Sequence, residues 1–359
     1  MNPLLRLHAL GQRIWLDNLS RTLLHEGTLK KLITEDRIAG VTSNPTIFFK
    51  AISESPHYRE ELQKLKADPA LSAEQRYEAL AVADIQAACD LLQPLHKSSK
   101  GEDGYVSLEV SPALAHDAEG TLAAGLRLKA AVARDNLLIK VPATAAGLTA
   151  IEELVTRGCS VNVTLMFSLR HVRDVAQAYL RGIGRLVEAG GDATKVKSVA
   201  SLFLSRVDTL VDKRLGDMSG AALELRGRTA VALARLAYQE WREMFSGKFF
   251  GALTKRGARP QLMLWASTGT KNSAYSDVLY VESLIGPQTI NTVPDATLAA
   301  FREHGKAEAT LESGIDAARE QFAALQKLGI DMDAVGEELQ RDGLQQFEES
   351  FRQLLALTS

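Results

Sequence analysis

Short apolar segments, rich in β-branched and aromatic residues, recur along the chain and alternate with longer segments of helical periodicity. The apolar segments predict eight strands, at Arg13–Asn18, Ile38–Ser43, Tyr105–Val110, Leu137–Val141, Ser160–Met166, Ser198–Leu204, Gln261–Ala266 and Ser283–Asn291. The longer segments predict helices, among them Ala73–Leu92, Ala118–Arg134, Leu169–Glu188 and Ala221–Phe245. Because a helix must return the chain between parallel strands, this alternation predicts a parallel sheet in an α/β fold.

Eight strand–helix units favour a closed (β/α)8 TIM barrel, and a doubly wound open sheet is the competing architecture. The open sheet is disfavoured because no G-x-G-x-x-G motif follows the first predicted strand or any other. We therefore predict a single TIM-barrel catalytic domain over residues 1–359. Within it, residues 50–104 are too many for one strand–helix unit and predict a helical insertion with two helices.

The tail, residues 295–359, is predicted to be helical throughout and to form C-terminal helices that pack on the barrel. Its apolar residues Phe347, Phe351 and Leu354 recur at spacings of four and three, which places them on one face of a helix. This periodicity favours an outer helix that seals the barrel. A helix that covers the mouth of the active site is the alternative.

The charge and the cysteine content of the chain indicate which partners and which compartment to expect. The 359 residues include 42 Lys and Arg and 44 Asp and Glu, so the formal net charge is −2, without the basic excess that a nucleic-acid partner requires. No uninterrupted apolar stretch approaches the ~18 residues of a membrane span, so no membrane partner is expected. The two cysteines, Cys89 and Cys159, form neither a disulfide framework nor a C-x-x-C pair, which favours a cytoplasmic location.

One lysine interrupts an apolar strand. Lys140 stands between Ile139 and Val141, where both faces of a parallel strand are expected to be buried. Burial disfavours the charged form of an amine, and a neutral amine attacks a ketone to form a Schiff base. A lysine that extends to solvent at the strand end, or that forms a buried ion pair, is the structural alternative, and position alone does not separate the two.

Two carboxylates also interrupt apolar strands. Asp17 ends the first predicted strand and Glu109 lies in the third, where a carboxylate is rarely tolerated without a partner. Both are candidate proton donors and acceptors beside Lys140, or alternatively its counter-ions or helix caps. A base, an acid and a nucleophile on three strands of one barrel are what a Schiff-base aldolase requires.

Hydroxyl and amide side chains recur with the strand period of two. This period places Thr42 and Asn44 on one face, and Asn162 and Thr164 on one face of the fifth strand. Inside a barrel such groups orient a catalytic water or bind substrate hydroxyls, or simply form hydrogen bonds between strands.

The late strands of a barrel often present a phosphate site. Here Ser201 and Arg206 close the sixth strand, and the segment from Ser267 to Lys271 follows the seventh. A glycine-containing loop with hydroxyls and a lysine suits a phosphate, because backbone N–H groups approach closely and the cation balances charge.

Together these residues resemble the motifs of the transaldolase family, most closely its longer bacterial branch. The segments that carry the resemblance are Trp15-Leu16-Asp17-Asn18, Gly40-Val-Thr-Ser-Asn-Pro-Thr-Ile-Phe48, Val106-Ser-Leu-Glu109-Val, Ile139-Lys140-Val-Pro-Ala-Thr144, Asn162-Val-Thr164-Leu and Trp265-Ala-Ser-Thr-Gly-Thr-Lys271. The resemblance implies a class I aldolase barrel of the pentose phosphate pathway. Such an enzyme moves a dihydroxyacetone unit from sedoheptulose 7-phosphate to glyceraldehyde 3-phosphate, giving erythrose 4-phosphate and fructose 6-phosphate.

The resemblance also implies a role for each matching residue. Lys140 is then the Schiff-base lysine, Glu109 with Thr164 handles a water, and Asp17 exchanges a hydroxyl proton. The residues that bind substrate are then Thr42, Asn44, Asn162, Ser201, Arg206, Ser267 and Lys271. Asn44 and Asn162 hold the dihydroxyacetone moiety, and Arg206 with Ser267 binds phosphate. Shorter relatives have an arginine soon after the serine, and Lys271 is assigned to that role here.

The same resemblance implies sugar-phosphate substrates, no metal and no cofactor, in a monomer or a homodimer. One rival function is an aldolase that releases free dihydroxyacetone from fructose 6-phosphate. Phe203 shares a strand face with Ser201 and has no hydroxyl to activate the water that this release requires, so we predict transfer. A remote rival is an inactive sugar-phosphate-binding barrel, which the presence of Lys140, Glu109 and Asp17 disfavours.

Overall fold

The computed structural model describes residues 2–216, 218 and 220–359. Its strands are β1 Gln12–Leu16, β2 Gly40–Val41, β3 Tyr105–Glu109, β4 Leu137–Pro142, β5 Val161–Met166, β6 Ser198–Phe203, β7 Leu262–Ala266 and β8 Thr289–Val293. Each strand pairs in parallel with the next in sequence, and β8 pairs with β1, which closes the barrel. The predicted TIM-barrel fold is confirmed.

Helices surround the barrel and extend beyond it. Helices α1 to α8 are Pro3–Ala9, Arg21–His25, Thr28–Asp36, Pro45–Glu54, Arg59–Lys66, Ala73–Ser98, Ala118–Val132 and Ala145–Thr156. Helices α9 to α16 are Leu169–Glu188, Ser205–Gly216, Thr229–Ser246, Lys248–Thr254, Leu279–Glu282, Asp295–His304, Ile315–Lys327 and Met332–Thr358. Short 3-10 turns lie at Pro56–Tyr58, Pro112–Leu114, Ala193–Lys195 and Gly220–Leu225. In the described residues, no helix combines the length and the apolar composition that crossing a bilayer demands.

The strands are apolar because both of their faces are covered. Every residue of β4, β5 and β6 is buried, which is the pattern of a parallel sheet wrapped by helices. After each of the strands β2, β4 and β5, the chain enters a helix whose N-terminus is capped by a polar side chain. Asn44, Thr144 and Ser168 each accept a hydrogen bond from a backbone N–H in the first turn of the following helix. These caps fix the loops in which the candidate site lies.

Several predicted boundaries differ from the structure: β2 covers only Gly40–Val41 of the predicted Ile38–Ser43, and α6 extends beyond the predicted Leu92 to Ser98. Strand β8 is displaced towards the C-terminus from the predicted Ser283–Asn291, because Gly286 and Pro287 interrupt that segment and its apolar Leu284 and Ile285 are buried in a turn. The predicted helix Ala221–Phe245 begins only at Thr229, after a 3-10 turn. Residues 305–314 of the tail are not helical, so α14 and α15 are separate helices. The insertion 50–104 contains the end of α4 and two further helices, α5 and α6.

The last helix, α16, does not lie on the outside of the barrel, which was the favoured prediction. It crosses the carboxyl ends of the strands, where the Gln340 side-chain amide donates to the carbonyls of Ala143 and Leu165, at 3.0 Å each. Its other end is tied to α6, since the Thr358 hydroxyl donates to the Ala73 carbonyl. The alternative prediction, a helix over the mouth of the barrel, describes α16.

Candidate active site

A cavity of about 300 Å³ opens at the carboxyl ends of the strands, the face of a TIM barrel that carries active sites. Most of the predicted site residues line it together: Asp17, Thr42, Asn44, Lys140, Thr164, Ser201, Arg206, Ser267 and Lys271. Glu109 and Asn162 lie outside its lining but touch residues that form it. These residues come from seven of the eight strands or the loops that follow them, so only the closed barrel brings them together.

Lys140 is held by β4 with its amine inside the barrel. The side chains of Lys140 and Glu109 are each only 6% exposed, and Lys140 Nζ lies 3.2 Å from Glu109 Oε2. The amine also donates to the main-chain oxygen of Ser43, at 3.1 Å. The pairing of β3 with β4 places Glu109 directly opposite Lys140, so the backbone register sets this contact. The amine is thus positioned between the cavity and a carboxylate.

Burial dominates the electrostatics of Glu109. Removal of the carboxylate from water raises its pKa above the ordinary value, and the nearby Lys140 amine opposes this shift. A carboxyl group with a raised pKa keeps its proton to a higher pH than an exposed one. This property suits a group that exchanges protons with the amine beside it.

Asp17 follows β1 and is the second acid of the cavity. Its Oδ1 accepts a hydrogen bond of 2.7 Å from the Thr42 hydroxyl, which lies 2.7 Å from the Thr292 hydroxyl. Burial raises the pKa of Asp17, whereas Lys140 and the Thr42 hydrogen bond lower it. Thr42 therefore orients the carboxylate and restrains its proton affinity.

Thr164 presents an unused hydroxyl to the cavity. Its Oγ1 is buried without a hydrogen-bond partner among the described residues, which is unusual for a buried polar atom. Pairing of β5 with β6 shifts register between Val163 and Met166, and Leu165 between them has φ 58°, a left-handed conformation. This irregularity lies next to Thr164. Strained backbone conformations of this kind are concentrated at functional sites.

The two asparagines have different environments. Asn44 caps α4 through its side-chain oxygen, which accepts from Ile47 N at 3.0 Å, and the residue also lines the cavity. Asn162 is fully buried, and its amide bridges Ser107 at 3.0 Å and Ser201 at 2.7 Å. Asn162 thus makes hydrogen bonds between strands, which was the alternative to a direct contact with substrate. It also positions Ser201.

The loops after β6 and β7 form a polar end of the cavity. The hydroxyls of Ser205 and Ser267 lie 2.8 Å apart, and Ser267 adopts a left-handed conformation with φ 53°. Arg206 Nη1 is buried without a hydrogen-bond partner within the described part of the chain. Burial lowers the pKa of the Arg206 guanidinium, which nevertheless stays charged at neutral pH. A half-buried cation with one unpartnered N–H, at the same end of the cavity as two hydroxyls, is suited to an anion.

Lys271 also lines the cavity, but it is exposed, in contrast to Arg206. Its loop is anchored at Thr268, whose hydroxyl donates to the Thr292 carbonyl at 2.8 Å. In the described residues no group of three or more His, Cys, Asp or Glu side chains is arranged to hold a metal ion.

Comparison with known proteins agrees with this geometry. A family model described as Transaldolase/Fructose-6-phosphate aldolase matches residues 14–358. The chain belongs to this family. A transaldolase of Thiobacillus denitrificans is 53% identical over 357 residues, which are 99% of each protein. Transaldolases of Neisseria gonorrhoeae and Frankia alni are 51% and 46% identical over 356 residues, which are 99% of this chain and 99% and 96% of those proteins.

Because these transaldolases match nearly from end to end, the comparison confirms the predicted family and the predicted enzyme class, a transferase of the transaldolase type. The name of the family includes both transaldolases and fructose-6-phosphate aldolases, so it does not separate transfer from aldol cleavage. The assignment of a step to each side chain therefore rests on the site itself.

Among the cavity residues that were not predicted as site residues are Thr292 and Phe347. Thr292 was missed because β8 was predicted to end one residue earlier, at Asn291, although a polar residue in an apolar strand was the available signal. Phe347 comes from α16, and its ring centroid lies 5.8 Å from Lys140 Nζ. Helical periodicity indicated that this side chain is buried, but it carries no information about the surface that buries it.

Proposed function

We propose that the chain transfers a dihydroxyacetone unit from sedoheptulose 7-phosphate to glyceraldehyde 3-phosphate through a Schiff base on Lys140. The products are erythrose 4-phosphate and fructose 6-phosphate, which places the reaction in the pentose phosphate pathway. One observation carries the proposal: the buried Lys140 amine lies 3.2 Å from Glu109 Oε2 and opens onto a cavity that it shares with Asp17.

The first step is addition of the neutral Lys140 amine to the ketone carbon of the donor. Glu109 takes the proton that frees the amine, a second proton passes from the nitrogen to the new oxygen, and Glu109 then returns its proton to the carbinolamine hydroxyl, which leaves as water. Thr164 binds this water through its free hydroxyl, which is the role that its unpartnered Oγ1 supports. The result is a Schiff base between Lys140 and the sugar.

The second step is cleavage of the carbon–carbon bond. Asp17 takes the proton from the hydroxyl whose carbon is released as the aldehyde, and the bonding electrons move into the Schiff base. Dihydroxyacetone stays on Lys140 as an enamine while erythrose 4-phosphate leaves. The same groups then act in reverse order, with glyceraldehyde 3-phosphate as the acceptor, so that protons and electrons balance over one turnover.

The substrate is held by the remaining polar side chains. Asn44 donates from its amide to a hydroxyl of the dihydroxyacetone unit, and Ser201 contributes a second contact. Asn162 acts through Ser201, to which it is hydrogen bonded. Thr42 serves the same unit indirectly, because it orients the Asp17 carboxylate.

The phosphate group lies at the polar end of the cavity. Arg206 supplies a half-buried positive charge, and Ser267 supplies a hydroxyl fixed by Ser205. Lys271 adds a second, exposed cation at the entrance. This arrangement orients both substrates with the reacting carbon towards Lys140.

Transfer is favoured over release of free dihydroxyacetone. Release needs a water that attacks the covalent intermediate and a group that activates it. Phe203 lines the cavity near Ser201, and at this position the chain has no hydroxyl for that purpose. The named relatives are all transaldolases, which supports the same choice.

The test is reduction with borohydride in the presence of fructose 6-phosphate, followed by peptide mass spectrometry. The proposal expects an adduct on the Lys140 peptide of the wild-type enzyme and none in Lys140→Arg. A coupled assay in parallel measures transfer to glyceraldehyde 3-phosphate and release of dihydroxyacetone without an acceptor. Absence of the adduct, or release at the rate of transfer, would overturn the proposal.

We also propose a cytoplasmic enzyme that acts as a monomer or a homodimer, without nucleic-acid or membrane partners. Both cysteines are buried free thiols, which suits a reducing compartment, and the charge balance is close to neutral. Light scattering coupled to size-exclusion chromatography measures the oligomeric state.

A further inference from the structure

Four residues of α16 face the carboxyl ends of β4 and β5 in one stripe. Gly336, Gln340, Gly343 and Phe347 follow each other at spacings of four, three and four, the repeat of a single helical face. The two glycines allow close packing. A Cβ added to Gly336 would lie 2.7 Å from Ser168 Cβ, and one added to Gly343 would lie 2.9 Å from Leu165 Cδ2.

Gln340 fixes this face against the site. Its buried amide donates to the carbonyls of Ala143 and Leu165, which follow Lys140 and Thr164 on the neighbouring strands β4 and β5. Leu165 is the left-handed residue of the β5 irregularity, so Gln340 satisfies the carbonyl that this conformation exposes. The helix therefore keeps one position relative to the reacting lysine.

Phe347 extends from the same face into the cavity. Its ring centroid lies 5.8 Å from Lys140 Nζ, and the side chain is only 4% exposed. An apolar ring at this distance occupies space from which a water molecule would otherwise protonate the enamine carbon, whereas the water at Thr164 serves formation and hydrolysis of the Schiff base. Exclusion of water from a covalent intermediate prevents its hydrolysis.

We infer that Phe347 is a specificity-determining residue, which keeps water from the enamine on Lys140 and so commits it to the acceptor aldehyde. The inference rests on the Lys140 Schiff base proposed above. When water does enter, the enamine carbon takes a proton to give the protonated imine, and water adds to the imine carbon. The C–N bond then breaks, releasing dihydroxyacetone and the free amine with consumption of one water.

The experiment compares Phe347→Ala with the wild type. The ratio of dihydroxyacetone release without an acceptor to transfer with glyceraldehyde 3-phosphate is expected to rise by about tenfold, a change of ~1.4 kcal/mol in the relative barriers. Phe347→Leu keeps an apolar side chain in the cavity and is expected to give a smaller rise. An unchanged ratio in Phe347→Ala would overturn the inference.

A matched control separates the ring from the stability of the helix. Leu354 lies on α16 two turns further on, is fully buried, and lies outside the cavity lining. Leu354→Ala is expected to lower the melting temperature while leaving the ratio of release to transfer unchanged. A rise in this variant equal to that in Phe347→Ala would assign the effect to loosening of α16 and overturn the role of the ring.

The borohydride adduct distinguishes this inference from the proposed function. If the wild-type enzyme forms no adduct on Lys140, the proposed function fails. If the adduct forms in the wild type and in Phe347→Ala but the ratio of release to transfer does not change, only the role of Phe347 fails.

Discussion

The two ends of the barrel each bury a lysine beside a glutamate, and only one of these pairs belongs to the candidate active site. At the carboxyl end, Lys140 contacts Glu109 at 3.2 Å, and both side chains are 6% exposed. At the amino end, Lys197 contacts Glu102 at 3.0 Å, and the lysine is 1% exposed whereas the glutamate is 54% exposed. By burial and ion-pair distance alone, Lys197 is as good a candidate as Lys140.

The surroundings separate the two lysines. At the amino end, acids are matched by arginines: Glu102 lies 3.6 Å from Arg259, and Asp103 lies 2.9 Å from Arg13. Lys197 lies outside the lining of the neighbouring cavity at that end. At the carboxyl end, no arginine of the described chain forms an ion pair with Glu109 or Asp17.

A buried lysine therefore becomes a candidate nucleophile when it has an open cavity and an acid that is not neutralised by another cation. Burial of Lys197 lowers its pKa, so a shifted proton affinity is not the discriminating property. What distinguishes Lys140 is access to a substrate and a second carboxylate, Asp17, in the same cavity.

The largest expected effect tests this distinction directly. Lys140→Arg should lower kcat by on the order of 10⁴-fold or more while the far-UV circular dichroism spectrum stays native, because a guanidinium cannot form a Schiff base. Lys197→Met is the matched variant at the other end, and it should leave kcat within about threefold because Glu102 remains solvated. Comparable losses of kcat in both variants would remove the distinction between the two ends.

Substitution of the second carboxylate, Asp17, is expected to give the next largest effect. Asp17→Asn should lower turnover by about 10²- to 10⁴-fold, because the hydroxyl proton then has no acceptor during cleavage. The Schiff base itself does not need Asp17, so borohydride should still trap an adduct on Lys140. Loss of both turnover and trapping would place Asp17 in formation of the Schiff base instead.

Substitutions at the polar end of the cavity are expected to have a smaller effect, on KM. Arg206→Ala should raise KM for phosphorylated substrates by about 10- to 100-fold, as expected for loss of a charge-assisted hydrogen bond in a buried site. Lys271→Ala should raise KM by less than about fivefold, because an exposed ion pair contributes little. The reverse order would show that the exposed lysine is the main phosphate ligand.

The smallest effect is a shift of the pH profile. Asp17 accepts a proton in its ionised form, and burial raises its pKa above 3.8, so kcat/KM should fall as the pH falls through this raised value. Thr42→Val removes a hydrogen bond that lowers the pKa, and should move the acid limb up by about one pH unit.

Thr46→Val is the control for this profile. Its hydroxyl also lies at the cavity but is hydrogen bonded to Ser350 at 2.8 Å. The acid limb of Thr46→Val should coincide with that of the wild type. A shift in this variant as large as in Thr42→Val would assign the change to general alteration of the cavity.

The alternation of strands and helices, and the polar residues that interrupt the strands, could be predicted from the sequence because both are local properties. The period of two places Thr42 with Asn44 on one face, and the structure brings both to the cavity. Strand β8 was misplaced because the apolar Leu284 and Ile285 are buried in a turn, and burial in a turn and burial in a strand leave the same local pattern.

The barrel and the family could be predicted from the sequence, because periodicity and short motifs are properties of consecutive residues. The position of Glu109 opposite Lys140, the hydrogen bond between Asn162 and Ser201, and the position of Phe347 near the amine became known only from the folded chain. Each of these contacts joins residues from different strands or helices. The amphipathic pattern of a helix predicts that one face is buried, but it does not predict which other element packs against that face.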